Sequence, residues 1–195
     1  MIKLSEQFKH EMAKAFAHAI LSQAGYRLIP FSMERLIREV TILDYASYKS
    51  LKMPSALRCL PDYFVLGKDS EARNLVDIAY RTNLGKNFGN EFKKKLKVFD
   101  EMVLILFYGG STGSGVNQDL SEVVRCCRLK WANQEVMIHL FAGPAGPPAW
   151  VSLKRIPTNN IWGSMLPLST IFSNVDPMQP GLETAIETAT RAFAV

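Results

Sequence analysis

Two short apolar segments, RCLPDYFVL at residues 58–66 and LVDIAYR at residues 75–81, decide the fold of this 195-residue chain. Each segment carries one aspartate, Asp62 in the first and Asp77 in the second. The polar residues 67–74 between them favour a turn, so the segments predict two neighbouring strands. Such strands hold two carboxylates side by side at the edge of a sheet, where a hard divalent cation neutralises their repulsion.

Strands and helices alternate along the rest of the chain, which predicts an α/β fold. Hydrophobic spacing predicts helices over 5–24, 32–40, 88–99, 117–132 and 182–193, and strands over 26–31, 57–66, 75–81, 101–108, 135–141 and 149–156. The first helix has an apolar stripe, predicted to be buried, of Leu4, Phe8, Met12, Ala15, Phe16, Ala19 and Ile20. Residues 101–108 show no polar alternation, as expected for a strand covered on both faces. We therefore expect a three-layer sandwich with a central mixed sheet between helices.

Length and composition predict one domain over residues 1–195, with a core at about 5–156 and a C-terminal extension at about 157–195. We expect a soluble, cytoplasmic protein, because the chain has neither a signal-peptide pattern nor an apolar run of about 20 residues. The three cysteines, Cys59, Cys126 and Cys127, have no zinc or disulfide spacing and are interpreted as buried, inert thiols. The net charge of +5 permits nucleic-acid binding without requiring it.

The Pro61-Asp62 pair, the turn, and Asp77 followed two residues later by Ala79 resemble the PD-(D/E)xK nuclease superfamily. The resemblance covers roughly residues 5–108. It implies a restriction endonuclease-like fold and hydrolysis of phosphodiester bonds in DNA. It also implies that Asp62, Asp77 and the Ile78 carbonyl bind Mg²⁺ or Mn²⁺. The family's further glutamate corresponds to Glu11, with Glu39 as the second candidate.

Ala79 stands where the family motif has its lysine, which positions the attacking water and stabilises developing negative charge. Three explanations remain open. The alanine is a deliberate replacement that traps an inactive enzyme, or catalysis has been lost and a binding scaffold remains. In the third explanation, the function of the lysine has moved to Arg81, Lys93 or Lys94. Arginine is disfavoured in this role because of its very high pKa.

Basic residues accumulate at 86–97, and Arg81, Lys93, Lys94 and Lys95 are the candidates for contacts with a nucleic-acid backbone. The expected partner is nucleic acid, DNA above all, with no membrane, and a homodimer is one assembly that such nucleases adopt. The alternative function is a non-catalytic module on the same fold that binds nucleic acid or protein. In the simplest reading, Asp62 belongs to a turn and Asp77 to a solvent-facing strand edge.

Three other sequence patterns give weaker evidence of function. The glycine-rich residues 109–115 lack the lysine of a phosphate-binding loop, since Val116 and Asn117 follow them. The histidines show no ligand spacing and are interpreted as core or surface residues. The three tryptophans can stack nucleobases, but their spacing favours ordinary packing. The histidines are His10, His18 and His139, and the tryptophans are Trp131, Trp150 and Trp162.

Overall fold

The computed structural model describes residues 6–31, 47, 54, 56–67, 73–85, 87–109, 120–141, 147–176, 184, 188 and 192. Its helices are α1 (Glu6–Gln23), α2 (Phe88–Phe99) and the single turn α3 (Leu120–Val123). Its strands are β1 (Arg27–Pro30), β2 (Tyr63–Leu66), β3 (Arg73–Arg81), β4 (Glu101–Tyr108), β5 (Val124–Ala132), β6 (Glu135–Leu140) and β7 (Ala149–Ser152).

The seven strands form one mixed sheet in which spatial order follows chain order, from β1 to β7. Strands β3 and β4 are parallel, and every other neighbouring pair is antiparallel. A parallel pair needs a crossover connection, and α2 supplies it between β3 and β4. The predicted α/β class with a mixed sheet is confirmed.

Helices α1 and α2 cover opposite faces of the sheet. Ala13, Ala17 and Ile20 of α1 pack into the core on one face, and Phe88, Phe92 and Leu96 of α2 pack into the core on the other. The central strand β4 contributes alternate residues to both cores: Val103, Ile105 and Phe107 to the α1 side, and Met102, Leu104 and Leu106 to the α2 side. The prediction of a strand covered on both faces is confirmed.

The buried face of α1 differs from the predicted stripe. Phe8 is 51% exposed, and Ala15 is also exposed. The buried residues of the helix are Ala13, Ala17, Ile20 and Leu21. Because alanine is small, the helix backbone lies close to the sheet along this face, while Met12 and Phe16 pack at its edge. Helical spacing therefore predicted a stripe turned away from the observed buried face, with which it shares Ile20, and Leu4 lies outside the described residues.

The helix predicted over 117–132 is wrong. One helical turn, α3, is followed directly by strand β5, which pairs with β4 and β6. Cys126 packs on the α1 side of the sheet, and Cys127 and Leu129 pack on the α2 side. A strand buried on both faces loses its alternation of polar and apolar residues, so its apolar spacing also fits a helix.

Two predicted strands are shorter in the structure. Residues Leu57–Cys59 form a 3-10 turn before β2, and Leu153–Arg155 form another after β7. The helix predicted over 32–40 lies outside the described residues. Of the helix predicted over 182–193, Thr184, Thr188 and Ala192 are described, and all three are helical.

The segment 157–176 packs against both faces of the sheet through a series of 3-10 turns. Leu168 and Phe172 join the α1-side core, whereas Ile161 and Met165 join the α2-side core. Leu166 forms an isolated bridge with Cys126 of β5. This part of the predicted C-terminal extension therefore helps to bury the sheet.

The three cysteines are free and buried, which confirms the predicted structural thiols. Burial raises the pKa of the Cys126 thiol to about 12, so the thiol is protonated at neutral pH. Among the described residues, no helix has the length and apolarity needed to cross a bilayer.

Candidate functional site

Asp62 and Asp77 meet where β2 ends and β3 continues. Strand β2 pairs with residues 73–76 of β3, so the rest of β3 extends past it. Asp62, just before β2, turns its carboxylate into this gap, where its Oδ2 accepts a hydrogen bond of 2.8 Å from the Ile78 N–H. Asp62 is close enough to Asp77 for its charge and a side-chain hydrogen bond to raise the pKa of Asp77. The structure thus brings the two predicted acids together.

Each aspartate holds one lysine, and the two lysines come from opposite faces of the sheet. Lys14 of α1 places its Nζ 3.0 Å from Asp62 Oδ1. Lys95 of α2 places its Nζ 2.5 Å from Asp77 Oδ1. The acid pair is therefore bracketed by two ammonium groups.

Burial is the largest influence on the pKa of Asp77. The side chains of Asp62 and Asp77 are 11% and 7% exposed. Desolvation, reinforced by the Asp62 charge, raises the pKa of Asp77 to about 7, although the Lys95 ammonium opposes this rise. Burial also lowers the pKa of Lys14, but the Asp62 and Glu11 carboxylates outweigh it and raise the pKa overall. Near neutral pH, the Asp77 carboxyl group is thus either protonated or negatively charged, and the charged form is stabilised by a nearby cation.

Two carboxylates in contact are a donor set that fits Mg²⁺ or Mn²⁺. Among the described residues, no group of three or more His, Cys, Asp or Glu side chains could hold a metal ion, which disfavours an all-protein cage. Magnesium does not need one, because it usually keeps several waters and binds through one or two carboxylates together with substrate phosphates. The Ile78 carbonyl points to the same side of β3 as the Ile78 N–H, towards Asp62. Pro61, next to Asp62, has no N–H that could donate a hydrogen bond to this carbonyl.

Glu11 and Glu39 are the two candidates for the further glutamate, and Glu11, the first of them, does not contact the acid pair directly. Glu11 contacts Lys14 at 3.5 Å, and its side chain is 62% exposed. It therefore reaches Asp62 only through Lys14. Glu39 lies outside the described residues.

Ala79 is buried among the apolar residues beneath α2, beside Phe88, Phe92 and Leu106. Its methyl group faces the same side of β3 as Asp77. The Lys95 ammonium comes from the helix above, so the site has a lysine although position 79 does not. Lys95 lies two residues from Lys93, one of the positions to which the motif lysine's function was considered to have moved.

Ala79→Lys is expected to lower the free energy of unfolding by about 1–3 kcal/mol, because the longer side chain overpacks a filled core. Urea denaturation at pH 7 measures the change. Ala15→Lys, at an exposed alanine of α1, is the matched control and should be nearly neutral. Equal stability of Ala79→Lys and wild type would show that position 79 has room for a lysine.

The residues predicted to contact nucleic acid are divided among different surroundings. Arg81 pairs with Glu91 and donates a hydrogen bond of 2.7 Å to the Tyr80 carbonyl. Lys93 lies with its Nζ 5.5 Å from the centroid of the Trp131 ring. Lys95 belongs to the acid site, and Lys94 is exposed to solvent. The four side chains therefore do not form one basic patch.

Sequence reasoning missed Lys14 and His10. Both lie on α1 four residues apart, hence on one face of the helix beside the predicted Glu11. Burial lowers the pKa of His10, and the nearby Lys14 lowers it further. Its Nδ1 is buried and has no hydrogen-bond partner among the described residues. The spacing from His10 to Lys14 was the available signal, but only the fold shows that this face meets Asp62.

The arrangement offers oxygen ligands for a cation, and positive charge for an anionic substrate, at one break in the sheet. A phosphodiester that approaches the acid pair would find the ammonium groups of Lys14 and Lys95 beside it. No protein-family model, curated protein or solved structure matches the chain.

Proposed function

We propose that this protein hydrolyses phosphodiester bonds in DNA with Mg²⁺ or Mn²⁺ bound at Asp62 and Asp77. The observation that carries the proposal is the buried contact between these two carboxyl groups, with Lys95 on Asp77. The element order supports the PD-(D/E)xK resemblance: α1, three strands, α2, then β4 parallel to β3. The restriction endonuclease-like fold is part of this proposal.

The residues of the site have separate roles in the proposed reaction. Asp62, Asp77 and the Ile78 carbonyl would hold the metal, which when bound acts as a Lewis acid and activates water. Lys95 takes the role of the family lysine: it orients the attacking water and stabilises negative charge on the phosphate. Lys14 offsets the charge of Asp62 and holds its carboxylate in place. Lys95 thus replaces the lysine that is absent at position 79.

Cleavage of plasmid and of single-stranded oligonucleotides tests the proposal. The wild type should cut with Mg²⁺ or Mn²⁺ and not with EDTA, and Asp62→Asn combined with Asp77→Asn should not cut. Calorimetry with Mg²⁺ alone should show binding to the wild type and none to the double variant. Absence of both metal binding and cleavage in the folded wild type would refute the enzymatic proposal.

A second candidate, a non-catalytic binding module, is favoured by one specific observation. The Oδ1 atoms of both aspartates already pair with lysines, so the site is neutralised without a metal. Such a module would bind nucleic acid or protein equally well with Asp62→Ala and in the presence of EDTA. Filter binding with and without chelator separates the two candidates.

A further inference from the structure

A cavity of about 520 Å³ lies on the side of α2 that faces β5 and β6, away from the acid pair. Its apolar floor includes Phe88, Val136 and Leu153, all buried. Trp131 forms part of the wall. Ligand sites in proteins have volumes of roughly 300–1,000 Å³ and combine such apolar walls with a few polar groups. The cavity therefore has the size and lining of a small-molecule site.

The polar lining includes three residues with side-chain amides. Asn90, Gln134 and Asn159 line the cavity, and an amide carries both hydrogen-bond donors and an acceptor. The acidic lining residue, Glu135, is paired with Lys154 at 3.1 Å. Paired amide donors and acceptors match the edges of nucleobases, which present the same two kinds of group.

Positive charge lies beside the aromatic wall. The Nζ atoms of Lys93 and Lys97 lie 5.5 and 5.1 Å from the centroid of the Trp131 ring. Neither lysine pairs with a carboxylate in the part of the chain that the structure describes. Both ammonium groups lie over the Trp131 ring, so a base that enters the cavity beside this ring would bring its phosphate within reach of them.

Gln134 reaches the cavity from a strained backbone position. Residues 133–134 form the two-residue turn between β5 and β6, and both have positive φ, 53° for Asn133 and 61° for Gln134. Glycine is the preferred residue at the second position of such a turn, and asparagine is tolerated at the first. Glutamine in the left-handed region is disfavoured, and such strain concentrates at ligand sites. Gln134 is one of the residues that line the cavity, so the strained position lies at the candidate ligand site.

We propose that this cavity binds one nucleobase, with the Gln134 amide on the base edge and Lys93 and Lys97 near its phosphate. The proposal deepens the proposed function by giving the nucleic acid a base-binding subsite, across α2 from the acid pair. The same chemistry is present in a free nucleotide and in a nucleotide of a single strand.

Calorimetry and fluorescence anisotropy test this proposal in EDTA with the Asp77→Asn variant, which cannot cleave. The probes are the four ribonucleoside monophosphates, and 8-mer oligonucleotides of deoxyadenosine and deoxythymidine. Gln134→Gly and the rim-plugging variant Thr158→Trp should each weaken binding at least 10-fold. Gln134→Gly should also raise the melting temperature, which loss of binding through misfolding would not do. If the monophosphates bind, a free nucleotide is sufficient as the ligand. If only the 8-mers bind, the ligand is a nucleotide within a single strand.

Asn133→Gly is the matched control, because it changes the same turn at a position that does not line the cavity. It should leave binding unchanged. The proposal is overturned if no probe binds, or if the Thr158→Trp variant binds as tightly as its parent. Because cleavage is not measured, failure of the nuclease proposal does not affect these outcomes.

Discussion

Replacing Lys95 by methionine is expected to lower the rate of metal-dependent cleavage by roughly 10²- to 10³-fold, the usual cost of losing one group that stabilises transition-state charge. The Lys95 ammonium is the cation in contact with Asp77, and no lysine is present at position 79 to replace it. Methionine keeps the length and helix propensity of the side chain while removing its charge. Single-turnover cleavage at saturating Mg²⁺ measures the effect on the chemical step.

Lys94→Met is the matched control. Lys94 lies on the same helix, carries the same charge and is exposed to solvent. The Lys94→Met substitution should change the cleavage rate only slightly, because the variant binds the nucleic-acid backbone more weakly at high salt. If the two variants lose the same activity, Lys95 acts only through net charge, and its assigned role at the acid pair is wrong.

Asp77→Asn is expected to make the protein more stable than wild type at pH 8 and similarly stable near pH 4. The folded-state pKa of Asp77 is about 7, above its ordinary value of 3.8. Between these values the folded protein keeps a proton that the unfolded chain releases, so wild-type stability falls as pH rises and levels off above pH 7. The difference between the two pKa values corresponds to roughly 4 kcal/mol in the free energy of unfolding, at about 1.36 kcal/mol per pH unit. Asparagine does not ionise, so the variant lacks this contribution to the pH dependence.

Urea denaturation in EDTA at pH values from 4 to 8 gives the free energy of unfolding of both proteins. Glu101→Gln is the control, because it removes a carboxylate that is paired at the surface with Arg128. Its stability profile should run parallel to that of the wild type. Parallel profiles for wild type and Asp77→Asn would mean that Asp77 binds protons equally in the folded and unfolded states, so that folding does not raise its pKa.

Local pattern was enough to predict α2 and β4 with their observed bounds. Residues 88–99 repeat phenylalanine and leucine at helical spacing, and residues 101–108 are apolar without interruption. The same reasoning failed for β5, because burial on both faces of the sheet hides the period of a strand. Patterning thus predicts elements well where one period is unambiguous.

The candidate site was predictable only in its acids. Asp62 lies just before β2 and Asp77 lies on β3, and these two strands are consecutive in the chain and pair antiparallel, so the proximity of the acids follows from local pairing. Lys14 and Lys95 reach them from separate helices on opposite faces of the sheet, and the motif residues alone do not show which helical lysines meet the acids. Ala79 therefore suggested a missing charge, although tertiary packing supplies one from α2.

Helix α2 separates the acid pair from the cavity and carries residues of both: Lys95 on one side, and Asn90 and Lys93 on the other. Phe88, Phe92 and Leu96 pack it against the sheet in one buried core. A displacement of this helix would change both places together. Thermodynamic linkage then makes any resulting coupling mutual: if an occupant of the cavity changes cation affinity, the cation changes the occupant's affinity by the same factor.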